Sequence, residues 1–496
     1  MYDRESHYIG GRWVRAAKSD RLVVHNPADE AVLGHVPAGT PDEAALAVAA
    51  AVRAFDDWAS RSVAERSEVI RRFTACLKGR AALLAKTITE EVGSPASFSA
   101  RVQVGLPLLT FDSQPTHASE IVWHQRVGHS MVLREAAGVV VAITPWNYPL
   151  HQIAAKIAPA LMVGCTVILK PSELAPFNAY LLAEAADEAE LPDGVLNVVF
   201  GTGAGVGSSL VAHPDVDVVS FTGSNETGRI VSELASRSVK QVHLELGGKS
   251  PNVVLDDADL EQCVAEGVAR SMVNSGQTCT SLSRLLVPKR LLSQAEEIAA
   301  SAVANHPLVD PSAEVEGIRP TVYSDKLAHL PTTFALGPLV SANQRERVVD
   351  FIRRGVHDGA RLVAGGPQRP SGFDQGYYVL PTIFSNTTPD MSIVREEIFG
   401  PVLCLQAYDG SDDSAVTMAN ETPYGLAAAV RSKDPERALA VARRIRAGQV
   451  EINQARFNPF APFGGFKQSG HGRELGTWGL EAFLQTKSIQ LPPSGS

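Results

Sequence analysis

Short apolar runs rich in β-branched residues alternate with longer amphipathic segments from about residue 138 onwards. The runs GVVVAI, TVILK, VLNVVF and VDVVSF are separated by helical patterns such as HQIAAKIAPALMVG. Strands that alternate with helices of about 10–15 residues are typical of βαβ units and a parallel sheet. A second alternating region begins at PNVVL and continues to about residue 447. The pattern predicts two α/β domains in series.

Two helix starts near the N-terminus carry complete capping signals. Thr40 precedes Pro41, with Glu43 three residues after the cap, and Ser62 and Glu65 repeat this spacing. Such a capping box satisfies two backbone donors that would otherwise be unpaired. We expect helices from both points onwards and assign them to the scaffold.

Composition narrows the class of protein. The chain has 496 residues, 45% of them hydrophobic, and a formal net charge of −9. These values are typical of a soluble globular protein of roughly two to four domains. The acidic balance lacks the electrostatic footprint of a protein that binds nucleic acid or an anionic membrane. The uncharged stretch 136–155 contains Pro145, Asn147 and Pro149, which a spanning helix does not tolerate at that density. We expect a cytoplasmic protein without a membrane segment.

Five cysteines, an odd number without a CxxC pair, indicate a reducing compartment, with no disulfides and no metal site. Cys76, Cys165, Cys263 and Cys404 lie in apolar patterns and are assigned to packing. Cys279 differs because its neighbours in NSGQTCTS are small or polar. A free cysteine is more often a buried apolar residue than a nucleophile, so this motif alone leaves both interpretations open.

Three further motifs hold polar side chains beside tight turns. Glu245 precedes two glycines in ELGGK, where a carboxylate can act as a general base. Asn147 in TPWNYP can donate to a developing oxyanion. Taken singly, these residues are more commonly a solvated acid and a turn residue. Glu397 and Phe399 in EEIFGP indicate by themselves only a helix end.

No GxGxxG fingerprint is present, but two glycine-containing turns and one strand end could bind a dinucleotide. GTGAGVG (201–207) follows one strand, and FTGSNETG (221–228) follows the next. Small residues at a helix N-terminus let backbone N–H groups approach a pyrophosphate. KPSE (170–173) follows TVILK, at the carboxyl end of a strand where open α/β sheets bind ligands. Ordinary turns explain each motif equally well when it is considered alone.

Together these motifs resemble those of the aldehyde dehydrogenase superfamily. TPWNYP, KPSE, FTGS, ELGGK, GQTCTS, EEIFGP, APFGGFK and SGHGRELG occur in the family's order and span nearly the whole chain. The resemblance implies an α/β fold of two doubly wound parallel-sheet domains, for cofactor binding and catalysis, with a β-ribbon that mediates oligomers. It implies an NAD-binding domain at 1–118 and 139–247, a catalytic domain at 248–447, and bridging segments at 119–138 and 448–496. It also implies a homodimer or homotetramer.

The same resemblance assigns roles to the residues. Cys279 matches the nucleophile that forms a thiohemiacetal and then a thioester, and Asn147 matches the oxyanion donor. Glu245 matches the base that activates water to hydrolyse the thioester. Lys170 is implied in both catalysis and cofactor binding. The other residues implied in binding the cofactor are Ile143, Thr144, Pro145, Trp146, Ser172, Glu173, Gly203, Gly207, Phe221, Thr222, Gly223, Ser224, Leu246, Gly247, Glu397 and Phe399.

The cofactor implied is NAD in preference to NADP, because Glu173 would meet the 2′ position of the adenosine ribose. The sequence departs from the family in two places. Thr477 stands where many members have a second Glu after the GREL run, and the stretch 310–336 is longer than usual and starts after Val309 instead of Gly. We expect this stretch to be a surface excursion away from the thiol.

Three functions remain to be distinguished. NAD-dependent aldehyde oxidation is favoured over a CoA-acylating relative, since acylating members usually lack the Glu245 base, and over a silent structural relative. The partner expected is a small-molecule aldehyde of medium size, aromatic or partly polar. A carboxylate-bearing semialdehyde, which Arg456 would meet, is the less favoured alternative. The residues expected to line the substrate tunnel are Tyr148, His151, Gln152, Thr278, Thr280, Arg456, Phe457 and Phe463.

Overall fold

The computed structural model describes residues 2–18, 20–313 and 334–492. Its largest element is an eight-stranded sheet, here called the first sheet. The central strand Val139–Ile143 lies between Thr166–Lys170 and Val218–Thr222, and all three run parallel. Chain order reverses at this strand, which makes the sheet doubly wound. In spatial order the strands are Gly470–His471, Gln241–Glu245, Val218–Thr222, Val139–Ile143, Thr166–Lys170, Leu196–Val198, Ser6–Ile9 and Arg12–Arg15.

Helices cover both faces of the first sheet, which explains why its three central strands are buried along their whole length and mostly apolar. Val140 packs into the cluster on one face, whereas Val139 and Val141 pack into the cluster on the other. Both capping boxes predicted from the sequence are present, at Thr40 and Ser62. The helices of this half are Pro41–Ser60, Val63–Gly79, Ala81–Val92, Ala96–Phe98, Gly105–Glu120, Pro149–Val163, Phe177–Glu188, Ser208–Ala212 and Asn225–Ser236, with π-helical turns at Ser99–Val104 and Gly203–Gly207.

A second sheet of seven strands forms the other half of the molecule. It is parallel except at Arg361–Ala364, and chain order again reverses near its centre, at Pro251–Val254. Its strands in spatial order are Arg361–Ala364, Thr382–Ser385, Val402–Tyr408, Arg284–Pro288, Pro251–Val254, Ala427–Arg431 and Gln449–Ile452. Its helices are Leu260–Met272, Leu292–Ala302, Ala342–His357, Ser392–Arg395, Asp412–Asn420 and Pro435–Ala442.

Two small sheets complete the described fold. Leu484–Gln490 pairs antiparallel with Ser130–Ala136, which pairs in turn with His124–Val127, and we call these three strands the ribbon. A three-stranded N-terminal sheet contains Tyr2–Asp3, Val32–Pro37 and Arg21–His25. The helix Gly476–Glu481 precedes the last ribbon strand.

The predicted α/β architecture with two doubly wound sheets and a ribbon is confirmed. The predicted domain boundaries stay a prediction. Within 448–496, Gln449–Ile452 joins the second sheet, Gly470–His471 the first sheet and Leu484–Gln490 the ribbon, so this stretch ties all three together. Nothing in the described part of the chain is a helix long and apolar enough to cross a membrane.

Most of the unusual stretch 310–336 lies outside the described residues, which stop at 313 and resume at 334. The described residues on its two sides contact each other through backbone hydrogen bonds and one ring contact. The backbone N–H of Val309 donates to the Leu336 carbonyl over 2.9 Å, and the Leu336 N–H donates to Pro307 over 2.9 Å. The His306 and Phe334 rings lie 4.6 Å apart. The prediction for the stretch itself remains open.

Candidate active site

Cys279 follows a turn with unusual backbone geometry. Asn274, Ser275 and Gly276 all have positive φ angles, of 52°, 56° and 74°. Such angles are unfavourable for residues with a Cβ, so surrounding contacts must hold the turn. The Ser275 hydroxyl donates to the Gly337 carbonyl over 2.7 Å, and the Val340 N–H donates to the Gln277 side chain over 3.0 Å. The segment 337–340, which follows the unusual stretch 310–336, therefore holds the loop 274–279 in place.

Asn147 meets this loop from the first sheet. Its side-chain Nδ2 donates to the Gln277 carbonyl over 3.0 Å, two residues before Cys279. The backbone carbonyl of Asn147 accepts from Asn274 Nδ2 over 3.0 Å and from Gln103 Nε2 over 2.8 Å. An amide Nδ2 carries two hydrogens, so one remains for another acceptor near the thiol.

Cys279 is half-buried, unlike the fully buried Cys165 and Cys404. Burial raises the pKa of its thiol, and the carboxylates of Glu397 and Glu245 raise that pKa further. The thiol is therefore protonated at neutral pH, and its activation requires removal of this proton. Gly248 lies so close to the Cys279 carbonyl that a Cβ there would clash.

Glu245 ends a strand of the first sheet and is 5% exposed. Neither of its carboxylate oxygens has a hydrogen-bond partner among the residues described. Burial raises the pKa of Glu245 well above its ordinary value, and the charge of Glu474 adds to this, against Lys156 and Arg473. A carboxylate with a raised pKa accepts a proton more readily than an ordinary one, which suits a general base.

Glu474 and Lys156 form a buried ion pair near Glu245, and the sequence analysis missed both. Lys156 is 1% exposed and its Nζ contacts Glu474 Oε1. The sequence did contain a signal: Lys156 is the only charged residue in the apolar helix PLHQIAAKIAPALMV, and a buried lysine needs an anionic partner. Its partner Glu474 is the glutamate of the GREL motif itself. The presence of Thr477 in place of a second glutamate therefore leaves this buried ion pair intact.

The predicted cofactor residues from the first sheet all lie at or just after the carboxyl ends of its parallel strands. At Thr166–Lys170, the Lys170 Nζ donates to Glu173 Oε2 over 2.9 Å. Burial raises the pKa of Glu173, but the Lys170 charge and hydrogen bonds, including one from the Gly203 N–H, outweigh it and hold that pKa below its ordinary value. Glu173 is thus an anion held in place at the strand end.

Two helical N-termini follow other strands of the same sheet. Thr202 caps the turn Gly203–Gly207, and Ser224 caps the helix Asn225–Ser236. A Cβ built at Gly203 would meet no atom within 4 Å, so the space above that turn is open. The remaining predicted residues at these strand ends are Ile143, Thr144, Pro145 and Trp146 after the central strand, Ser172 beside Glu173, Phe221, Thr222 and Gly223 before Ser224, and Leu246 and Gly247 after Glu245.

Glu397 and Phe399 reach the site from the second half of the molecule. Glu397 Oε1 accepts from the Gly248 N–H over 3.0 Å, and a side chain at Gly247 would clash with this carboxylate. Burial raises the pKa of Glu397 to about 7, although the Gly248 N–H opposes the shift. Phe399, with a φ of 61°, packs edge-on against Trp146 at 5.4 Å. The two halves therefore meet between ELGGK and EEIFGP.

The predicted substrate residues fall into two groups. Tyr148 and Thr278 share a hydrogen bond of 2.8 Å between hydroxyls beside Cys279, and Phe98 packs edge-on against Tyr148 at 6.1 Å. Thr280 is half-buried on the same loop. The Phe463 N–H donates to the Glu474 carbonyl, and the Phe463 ring meets Phe457 at 6.3 Å.

The other predicted substrate residues have different surroundings. Gln152 accepts from the Thr222 hydroxyl over 3.1 Å and so faces a strand of the first sheet. Burial lowers the pKa of His151 to about 4, with Glu474 opposing this shift and Lys156 adding to it. Arg456 is exposed in the loop that follows the strand Gln449–Ile452. Within the described ranges no cluster of three or more His, Cys, Asp or Glu side chains could hold a metal.

Comparison with known proteins gives consistent matches over the full length. The model of the aldehyde dehydrogenase family matches residues 13–489. A 3-succinoylsemialdehyde-pyridine dehydrogenase from a Pseudomonas species is 46% identical over 495 residues, covering 99% of both chains. A putative aldehyde dehydrogenase from Staphylococcus aureus strain MW2 is 40% identical over 493 residues, again covering 99% of both.

Solved structures agree with the sequence matches. A Cys-to-Ala mutant of aldehyde dehydrogenase C from Pseudomonas syringae, in complex with NAD+ and octanal, superposes with a TM-score of 0.93 at 42% identity, covering 99% of this chain and 98% of that one. An aldehyde dehydrogenase from Mycobacterium tuberculosis complexed with NAD+ superposes with a TM-score of 0.92 at 36% identity, covering 100% and 99%. The chain therefore belongs to the aldehyde dehydrogenase family, whose members are oxidoreductases that act on aldehydes.

Proposed function

We propose that the protein oxidises an aldehyde to a carboxylic acid with NAD as the acceptor, through a thiohemiacetal and a thioester on Cys279. The observation that carries this proposal is the convergence of three loops on one half-buried thiol. Asn147 bonds to the backbone two residues before Cys279, and Glu245 is buried without a hydrogen-bond partner in the described chain, close enough to raise the thiol pKa.

The residues present fit a dinucleotide. Glu173 offers an anchored carboxylate to ribose hydroxyls, and the open turn at Gly203 and the helix end at Ser224 offer backbone N–H groups to a pyrophosphate. Glu397 would hold the second ribose, and the Trp146–Phe399 pair lies on that side. NAD bound there supplies the acceptor for the hydride that leaves the aldehyde carbon.

The chain's own residues account for the acyl chemistry. The Cys279 thiol loses its proton to water, its sulfur attacks the carbonyl carbon, and the remaining N–H of the Asn147 amide donates to the carbonyl oxygen as negative charge develops there. The second step needs a base that is not the nucleophile. Glu245 removes a proton from the water that attacks the thioester, and its raised pKa lets it hold that proton. The neighbouring Glu474–Lys156 pair then offers a carboxylate to which Glu245 can pass this proton.

Two alternatives are less well supported. A CoA-acylating enzyme would not require a buried base beside the thioester, whereas Glu245 occupies that position. A silent structural protein would have no reason to keep Glu245 buried with no partner among the residues that the structure describes, since burial of an unsatisfied carboxyl destabilises the fold. Assembly through the ribbon, as a homodimer or homotetramer, remains part of the proposal, as does the domain division at the predicted boundaries.

The substrate we propose is a medium-sized aldehyde with an apolar or aromatic body. Phe98, Tyr148, Phe457 and Phe463 provide aromatic surface near the thiol and Glu474. The relatives named above act on a pyridine-bearing semialdehyde in one case and are bound to octanal in another, and both molecules have such a body.

For substrate choice, we expect kcat/KM for octanal and for the pyridine-bearing semialdehyde to exceed that for acetaldehyde by about 10- to 100-fold, which corresponds to the burial of two or three more methylene-sized groups at about 0.8 kcal/mol each. NADH formation at 340 nm measures the rates, with and without CoA. Succinic semialdehyde as the best substrate would contradict the aromatic pocket, and dependence of turnover on CoA would contradict the hydrolytic mechanism.

For the two half-reactions, Glu245→Gln should lower steady turnover by about 10²–10⁴-fold, as expected for loss of a general base. One NADH per active site should still form in a pre-steady-state burst, whereas Cys279→Ala should give none.

In the unmodified enzyme the steady rate should rise with pH as Glu245 loses its proton, and in Glu245→Gln this rise should vanish. Glu91→Gln is the matched control, because Glu91 is also buried, has a pKa raised to about 8 by its burial, and bonds Asn178 away from the thiol. A normal steady rate in Glu245→Gln would disprove the assignment.

For cofactor choice, we expect NAD to be favoured over NADP by about 10–1,000-fold in kcat/KM, because the 2′-phosphate would meet the Glu173 carboxylate. Lys170 softens this repulsion, so NADP should still support slow turnover. Glu173→Gln should narrow the gap, mainly through a lower KM for NADP, and Glu188→Gln on the surface should not. Equal efficiency with both cofactors in the unmodified enzyme would refute the argument.

A further inference from the structure

A buried amide network lies beneath Asn147 and is not part of the chemistry proposed so far. Gln103 is fully buried, and its Nε2 donates to the Asn147 carbonyl over 2.8 Å and to the Ser94 hydroxyl over 3.2 Å. Asn274 Nδ2 donates to the same carbonyl over 3.0 Å, and the Ser94 hydroxyl donates to Asn274 Oδ1 over 2.7 Å. Both lone pairs of the Asn147 carbonyl are thus occupied by amides from two other segments.

The orientation of the Gln103 amide follows from its partners. A backbone carbonyl only accepts hydrogen bonds, so the nitrogen of Gln103, and not its oxygen, must face Asn147. The opposite end, Oε1, is buried without a partner in the described part of the chain. A buried acceptor without a partner costs free energy, so packing alone would favour an apolar side chain here. Compared with an apolar side chain, the Gln103 amide adds an N–H that donates to the Asn147 carbonyl.

The local helix geometry singles out the same residue. Gln103 lies in the π-helical turn Ser99–Val104, between the short helix Ala96–Phe98 and the helix Gly105–Glu120. Single π-helical turns within α-helices are frequent at functional sites. Gln114, eleven positions later and equally buried, instead donates to Thr110 of its own helix over 2.7 Å. Of these two buried glutamines in neighbouring helical segments, Gln103 contacts the Asn147 backbone and Gln114 contacts its own helix.

We infer that Gln103 is a positioning residue for catalysis: with Asn274, it locks the Asn147 backbone so that the side-chain amide keeps one N–H on the Gln277 carbonyl and presents the other to the substrate oxygen. The inference rests on the proposed function, because it assigns the oxyanion contact to Asn147. Misplacement of an oxyanion donor acts on the transition state more than on the bound substrate. Loss of the Gln103 contact should therefore lower kcat and leave cofactor binding intact.

The experiment compares Gln103→Met with Gln114→Met, which remove a buried amide of similar size from nearby sites. We expect Gln103→Met to lower kcat by about 10- to 100-fold, in line with the effect of small misplacements in active sites. The Kd for NAD should stay within about twofold. Gln114→Met should keep its kcat while losing comparable thermal stability. Gln103→Leu replaces the methionine variant if that variant does not fold.

A double-mutant cycle with Asn147→Ala separates positioning from a general structural effect. If Gln103 acts through Asn147, Gln103→Met should cause no further fall in kcat in the Asn147→Ala background. The inference is overturned if Gln103→Met keeps its kcat in the unmodified background, or if the two losses multiply. Absence of NAD-dependent aldehyde oxidation in the unmodified enzyme would instead disprove the proposed function.

Discussion

The burial of Glu245, whose carboxyl has no hydrogen-bond partner within the described ranges, is the constraint on which the rest of the site depends. A carboxyl removed from water holds its proton more tightly, and here Glu474 adds to the effect. The buried carboxyl also limits which residues can lie beside it, since a Cβ at Gly464 would lie only 2.7 Å from Glu245 Oε1. The ion pair of Lys156 and Glu474 keeps two further charges nearby without leaving either unpaired. The site thus combines a base of raised pKa with a thiol that is protonated at rest.

The fold brings these groups together by placing two doubly wound sheets against each other. Asn147, Glu173, Ser224 and Glu245 all lie at or just after carboxyl ends of strands in the first sheet, the edge at which open α/β sheets bind ligands. Cys279 and Glu397 come from the second half and meet the first at Gly247 and Gly248, where side chains would clash. The tail 448–496 joins both sheets and the ribbon, and it brings Glu474 to the site.

Much of the architecture follows from local patterns in the sequence. Alternating apolar runs predicted the two parallel sheets, and the capping boxes at Thr40 and Ser62 appear as expected. The family assignment from ordered motifs is confirmed, whereas the roles given to single residues stay predictions. Contacts between distant residues were not predictable: Lys156 and Glu474 are 318 positions apart. Gln103 lies in a helix whose π-helical turn has no clear signature in the sequence. The assignment of Gln152 to the substrate tunnel stays a prediction, and its hydrogen bond with Thr222 follows from how the helix packs, which the motif does not encode.

The central claim is that the aldehyde becomes a thioester on Cys279 and that Glu245 is needed only to release it. Mass spectrometry of Glu245→Gln, quenched in acid after mixing with NAD and octanal, tests this claim most directly. We predict an adduct with the mass of the aldehyde less two hydrogen atoms, located by peptide mapping on Cys279 and removed by hydroxylamine. No such adduct, or one located on another cysteine such as Cys404, would contradict the account.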